Sequence, residues 1–349
     1  MERIKDPWFK GYMVPDYGEP DSYGTTIANI PATIGKLFGV EIGGLPSLPE
    51  ACWQPLLSRG PVERIVVFII DAMGYHFQAD GERSAIAEDL AQKALVHEKI
   101  TSVFPSTTVN ALSTIWTGYA PGHHGLVALN LLDPLLNAVN MMLQWRPASL
   151  PGTNDAMLKA GVSPEAFLPV PGLAEQLATY NIPTIDIKGR DIINSTLSRM
   201  HGRGVAQRKG VMSYVELMWQ IVKTLEQESG PLLIMSYWPT IDTLSHMYGP
   251  RHAVVQKELD SILYQVQTAL IDKISASAAK GTAFLLFSDH GQCTINPDQS
   301  INLGQMPQIE SHLTLTAAGE ARVPYLYTKH GSFDTLKELL TAVSGEPRF

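Results

Sequence analysis

Five side chains in this sequence have the type and spacing to hold cations: Asp71, the pair Asp242 and His246, and the adjacent Asp289 and His290. Asp242 and His246 lie four residues apart, which on a helix sets both on one face. Asp289 and His290 precede Gly291, and a tight turn there would aim both side chains at one point. Asp and neutral His are proper ligands for zinc, and the set contains no thiolate. Five ligands meeting at one place suit two ions better than one. Two close cations stabilise both the attacking and the leaving oxygen of an in-line displacement at phosphorus. Each fragment alone is ordinary, since an Asp ending a strand often caps a turn and Asp-x-x-x-His is a common surface pair. It is their joint occurrence that points to a metal site.

A nucleophile for such a displacement is available in SVFPSTTVNALSTIWTG (102–118), where Ser106, Thr107 and Thr108 follow Pro105 and open an apolar-periodic stretch. Helix capping explains hydroxyls at that position. So does a nucleophile held where a helix start favours negative charge and activated by a metal. The stretch by itself leaves both readings standing. His123 and His124, in GYAPGHHG, read as turn and packing residues, and Cys293 as structural. His76, His97, His201 and His252 have no partner pattern and default to surface or core roles.

The elements that must position these groups share one grammar. RIVVFIIDAMG (64–74), PLLIMSYWPTIDTLSHMYGP (231–250) and GTAFLLFSDHGQ (281–292) each run from dense apolar residues into acidic or histidine residues. Unalternating apolar runs read as strands buried on both faces, the habit of parallel sheets. Helical spacing connects them, in Leu259, Ile262, Leu263, Val266, Leu270 and Ile274 and in Leu217, Ile221, Val222 and Leu225. A further helix–strand pair is LAEQLATY (173–180) followed by IPTIDIKG (182–189). The expected architecture is α/β, a mainly parallel central sheet flanked by helices, in one domain over 1–349. In such sheets ligands bind beyond the carboxyl ends of the strands, where the candidate residues fall. A cap or insertion is expected at about 127–215, with the Pro-, Asn- and Leu-rich 131–172 its clearest part, and 296–323 reads as mostly loop. FDTLKELLTAVSGEPRF gives one amphipathic helix and then stops.

Composition narrows the function classes. The chain has 349 residues, 45% hydrophobic and 17% charged, with a formal net charge of −8. That balance disfavours tracking a nucleic-acid duplex or an anionic membrane, while bound cations would still allow phosphate esters to bind. Cys52 and Cys293 make no disulfide framework. The N-terminal segment has no apolar core of a signal peptide, and VVFII (66–70) is too short to span a bilayer, so the expected location is cytoplasmic.

FIIDAMG, FPSTTVNALSTIWTGYAPGHHG, IDTLSHMYGP and FSDHG occur in the order found in the alkaline phosphatase superfamily, and the chain resembles its nucleotide pyrophosphatase/phosphodiesterase branch over about 64–292. The resemblance implies an alkaline phosphatase-like α/β core, two divalent metal ions about 4 Å apart, zinc with manganese as an alternative, and a phospho-threonine intermediate. It assigns Thr108 as nucleophile and metal ligand, nine residues before Thr117, with Thr107 as the one-residue alternative. It assigns Asp71, Asp289 and His290 to the metal that activates the nucleophile, and Asp242 and His246 to the second. Asn130 matches an asparagine that holds a phosphoryl oxygen, one position late. The family's last ligand is a histidine in a late His-Gly segment. Here that is His330 or His312, or a residue beyond 349, where a final strand is also expected.

The implied activity is hydrolysis of a phosphodiester or pyrophosphate bond in a small-molecule phosphate ester or nucleotide. A phosphomonoesterase or phosphonate hydrolase is the alternative within the superfamily, and a metal-deficient, non-catalytic relative is the alternative in kind. A sulfatase is disfavoured because TTVNA lacks the C/S-x-P-x-R context. A monoesterase would want an arginine over the phosphate, for which Arg190, Arg199 and Arg203 are the candidates. Tyr75, Trp145, Tyr237 and Trp238 could stack a base, or equally be core residues.

Overall fold

A computed structural model of the chain describes residues 25–75, 84–133 and 136–344. His76 and the N-terminal segment judged for a leader lie outside them. In chain order the described strands are β1 (Arg64–Ile70), β2 (Asn130–Asp133), β3 (Ala138–Met141), β4 (Arg146–Pro147), β5 (Thr184–Gly189), β6 (Gln207–Val211), β7 (Leu232–Trp238), β8 (Thr282–Phe287), β9 (Ala318–Glu320) and β10 (Val323–Tyr325). The helices that matter to the site or its support are α1 (Ile30–Phe38), α2 (Thr108–Thr117), α3 (Thr196–His201), α4 (Tyr214–Gln227), α5 (Thr240–Tyr248), α6 (Ala253–Gln265) and α7 (Phe333–Ser344).

The main sheet has the order β6-β5-β7-β1-β8, and every pairing in it is parallel. β1 lies inside it with all seven residues buried, which is why its sequence shows no polar alternation. Successive side chains go to opposite faces. Ile65, Val67 and Ile69 join a core with Ile34 and Leu37 of α1 and Ala111, Ile115 and Trp116 of α2. Val66, Phe68 and Ile70 join a second core with Leu217, Ile221 and Leu225 of α4 and Leu259 and Ile262 of α6. Helices therefore cover both faces, and the expected α/β class is the observed one.

A smaller antiparallel sheet, β10-β9-β2-β3-β4, stands beside the first. Its members come from 130–147 and 318–325, so the end of the 296–323 segment expected to be mostly loop supplies β9 and the first residue of β10. The cap expected at about 127–215 is divided by the structure. Its first part forms β2 to β4, whereas β5 and β6 belong to the main parallel sheet. β6, QRKGV, escaped notice because it is an edge strand that needs only one buried end; Gln207 and Arg208 are exposed and Val211 is buried. Among the described residues, no helix is long and apolar enough to cross a membrane.

Candidate active site

The carboxyl ends of three neighbouring strands are level. Ile70 pairs with Trp238, and Ile69 with Phe287, so Asp71, α5 and the Asp289–His290 turn all leave the same edge of the sheet. Directly after Asp71, Ala72 adopts φ 55°, a left-handed conformation that costs a non-glycine residue about 1–2 kcal/mol. The distortion turns the Ala72 N–H onto Asp289 Oδ1 at 3.2 Å, and the His290 N–H donates to the same oxygen at 2.9 Å. Gly74, at φ 58°, lies so close to the other turn that a Cβ there would sit 2.9 Å from Gly291 Cα. Ser102 Oγ donates to the Asp289 carbonyl at 2.6 Å and ties the turn to the segment leading into α2.

His290 is the hub. Its Nδ1 lies 3.0 Å from the Gly291 carbonyl, which can only accept, so the ring proton belongs on Nδ1 and Nε2 presents its lone pair. Thr108 Oγ1 is 3.0 Å from that Nε2. Asp71 Oδ1 is 3.3 Å from it, and Asp289 Oδ2 3.7 Å. Thr108 is the first residue of α2. Thr107, the residue before the helix, makes no capping bond through its side chain, so the capping explanation of these hydroxyls fails and the first N–H groups of α2 keep their donors. Ser106 is exposed.

Asp242 and His246 share a face of α5, as their spacing requires, with His246 Nε2 3.5 Å from Asp242 Oδ1. One ligand oxygen of Asp242 lies within 4.8 Å of both Asp71 and His290. His246 reaches the group only through Asp242, and its side chain is 74% exposed. Gln292 Nε2 donates to Asp242 Oδ1 at 2.5 Å and so couples α5 to the Asp289–His290 turn.

Three carboxylates gathered around a histidine lone pair make an unfavourable site without a cation. Burial pushes the Asp71 carboxyl well above the usual carboxylate range; the Asp289 and Asp242 charges add to this, and a hydrogen bond from the Tyr237 hydroxyl opposes it. Burial also raises Asp289, and the N–H donors of Ala72 and His290 oppose the rise. The phenol of Tyr237 is driven well up by burial of its hydroxyl end and by the Asp71 and Asp289 charges. Asp71 Oδ1 and Asp289 Oδ2 are buried with no hydrogen-bond partner, and Asp71 Oδ1 faces a nitrogen that is itself an acceptor. Acceptors turned toward one another in a dry site are what a cation requires. The donor set of oxygen and imidazole nitrogen fits zinc or manganese.

Asn130, the candidate for a phosphoryl oxygen, lies in the smaller sheet. Asn130 opens β2, opposite Gly319 of β9, and its Oδ1 is buried without a partner. Next to it the Leu129 N–H donates to Glu320 Oε1 at 2.5 Å. Burial raises the Glu320 carboxyl, and the Leu129 N–H opposes the rise.

Neither His312 nor His330 joins the Asp71, Asp242 and His290 group. His312 Nδ1 lies 3.2 Å from Ser332 Oγ, next to α7, and His330 is exposed on the turn before that helix. Arg199 is bound to Glu165 at 2.6 Å, and Arg203 to Glu175 and the Glu165, Leu168 and Val170 carbonyls. Both hold the 165–175 segment rather than a phosphate. Arg190 is exposed on the turn after β5. Trp145 is fully buried against Phe167, its indole N–H on the Val162 carbonyl, and is a core residue with no face to offer a base. Tyr237 is occupied by Asp71. Tyr75, with Lys99 Nζ 4.6 Å from its ring centre, and Trp238, edge-on to Tyr214, remain half-buried near the strand ends. Tyr237 as an Asp71 partner, Gln292 and Ser102 were not found from the sequence. Only Gln292, two residues after His290, carried a local signal.

The class defined by this parallel sheet and its carboxylate–histidine edge is the phosphoric ester hydrolase fold of the alkaline phosphatase superfamily. The chain belongs to the type I phosphodiesterase / nucleotide pyrophosphatase family, which matches residues 65–339. The fold is shared with murine ectonucleotide pyrophosphatase / phosphodiesterase 5, solved as an inactive threonine-to-alanine variant in complex with AMP. That chain is 15% identical, with a TM-score of 0.57 over 80% of this chain and 70% of that one. Human ectonucleotide pyrophosphatase / phosphodiesterase 5 is 19% identical, with a TM-score of 0.57 and the same two coverages. No curated protein sequence matches the chain.

Proposed function

We propose that the protein hydrolyses phosphodiester or pyrophosphate bonds of small-molecule phosphate esters, nucleotides among them, through a phospho-threonine at Thr108. The observation that carries this is the hydroxyl of Thr108, at the start of a helix and 3.0 Å from His290 Nε2, with Asp71 and Asp289 gathered on the same nitrogen. The inactive threonine-to-alanine variant and the bound AMP of the murine relative support a threonine nucleophile and a nucleotide substrate.

Asp71, Thr108, Asp289 and His290 would hold one divalent ion, and Asp242 and His246 a second, zinc before manganese. Bound there, the ions supply neutralisation of the carboxylates, acidification of the threonine hydroxyl and stabilisation of charge on attacking and leaving oxygens. Thr108 Oγ1 forms the new bond to phosphorus as the bond to the leaving-group oxygen breaks. Water then displaces Thr108, restoring the hydroxyl. The uncapped N–H groups at the start of α2 and the amide of Asn130 would bind the equatorial phosphoryl oxygens. Tyr237 holds Asp71 in orientation, and Ala72, Ser102 and Gly74 hold Asp289 and His290.

Replacing Thr108 by Ala tests the assignment. The expected result is loss of bis(p-nitrophenyl) phosphate turnover with zinc still bound by mass spectrometry; retained turnover would refute it.

A further inference from the structure

Two side chains converge on one oxygen of Asp242. His246 Nε2, a turn further along α5, lies 3.5 Å from Asp242 Oδ1. Gln292 Nε2 donates to the same oxygen at 2.5 Å and to the Asp242 carbonyl at 3.3 Å. His246 is a metal ligand by type, whereas Gln292 has so far served only to tie α5 to the Asp289–His290 turn. A catalytic zinc takes three protein ligands and keeps a further position open, so Asp242 and His246 are one ligand short. Neither His312 nor His330 joins the Asp71, Asp242 and His290 group.

The Gln292 amide can act in two ways. Its Nε2 donates hydrogen bonds, and its Oε1 is an acceptor with lone pairs for a cation. Both bonds to Asp242 are made by Nε2 and leave Oε1 out. An N–H at this position satisfies a bare carboxylate whose ligand oxygen stands within 4.8 Å of Asp71 and His290. A half-turn about the last side-chain torsion, a broad two-fold rotor, exchanges the two ends and brings Oε1 beside Asp242 Oδ1. A glutamate here would instead add its charge to three gathered carboxylates. Gln292 is half-buried and follows His290 by two residues, so a single turn would serve both ions. We propose that Gln292 is the third protein ligand of the second ion, through Oε1, together with Asp242 and His246. The proposal rests on the two-ion reading above and completes that same site.

The test is calorimetric titration of zinc into the metal-free full chain near pH 8, where exposed carboxyls are ionised, with bound zinc counted by mass spectrometry. A His246→Ala variant marks the binding step that belongs to the second ion. Gln292→Met keeps the side-chain length and removes both polar ends. It should weaken that step about 100-fold, the larger end of what an orienting partner alone is worth, and leave the other within about threefold. Gln292→Glu separates a ligand from a tether: ionised, it cannot donate to Asp242, but it can ligate. It should hold the second ion at least as tightly as the unchanged protein. Both steps unchanged or both weakened alike in Gln292→Met, or a second step as weak in Gln292→Glu as in Gln292→Met, would overturn the proposal. A single bound zinc in the unchanged protein would overturn it together with the two-ion reading. The titrations do not depend on turnover, so a failure to hydrolyse esters would strike the hydrolase reading and still leave the role of Gln292 decided.

Discussion

Removing one hydroxyl, in Tyr237→Phe, should weaken metal binding without touching any ligand. The Tyr237 O–H donates to Asp71 Oδ2, and Asp71 Oδ1 has no hydrogen-bond partner. The substitution therefore leaves a buried carboxylate with neither oxygen hydrogen-bonded in the absence of an ion. A hydrogen bond to a charged group is worth about 1.5–3 kcal/mol, and partners that orient metal ligands change affinity by about 10–100-fold, so the two estimates agree. The pH dependence has a definite sign. Tyr237 opposes the rise of the Asp71 pKa, so its loss raises that pKa further. A metal must then displace a proton from Asp71 up to a higher pH, and the affinity deficit should be larger near pH 6 than near pH 8. Zinc affinity by chelator competition at both pH values is the assay, with kcat at saturating zinc as the control, expected to fall much less than the affinity. Affinities within twofold of the unchanged protein at both pH values would refute the reasoning.

Acid should destabilise the fold through two histidines remote from the ligands. His124 accepts the Leu126 N–H, lies 3.0 Å from Thr114 Oγ1, and is held by burial at a pKa of about 3. His201, buried on α3 2.9 Å from Ser113 Oγ, is also pushed well down by burial. Both are neutral in the folded chain and take up protons near 6.5 when unfolded, so stability is intact above about 6.5 and is lost as pH falls toward 3, by about 1.4 kcal/mol per pH unit for each. Denaturant unfolding of His124→Gln between pH 7 and 5 should show a slope shallower by that amount, and an unchanged slope would contradict it. Gly74→Ala forces a Cβ to within 2.9 Å of Gly291 Cα at a positive φ and should cost about 1–3 kcal/mol together with zinc affinity. An unchanged denaturation midpoint would mean that the two turns do not bear on each other.

What could be read from the sequence was what local patterning encodes. Full burial of β1 required an apolar run without alternation, and RIVVFII shows one; Asp71 follows at once, at the carboxyl end of the strand, where ligands bind in parallel sheets. Asp242 and His246 share a face because four residues make about one helical turn. The residues missed are those whose partners are distant in sequence. Tyr237 becomes a partner of Asp71 only because β7 lies next to β1 in the strand order, which no local pattern states. Glu320 meets the Leu129 N–H through a sheet built from 130–147 and 318–325. β6 was hidden in the expected cap because an edge strand tolerates Gln, Arg and Lys. For Trp145 the sequence allows stacking and core burial equally, because burial cannot be read from a residue's name, and the structure puts it in the core.

The most direct test is to find which residue carries phosphorus during turnover. Zinc-loaded protein mixed with bis(p-nitrophenyl) phosphate, quenched in acid within the first turnover and digested, should yield one modified peptide with the phosphoryl adduct on Thr108. An adduct on Thr107 or elsewhere, or turnover with no adduct at any quench time, would contradict the account.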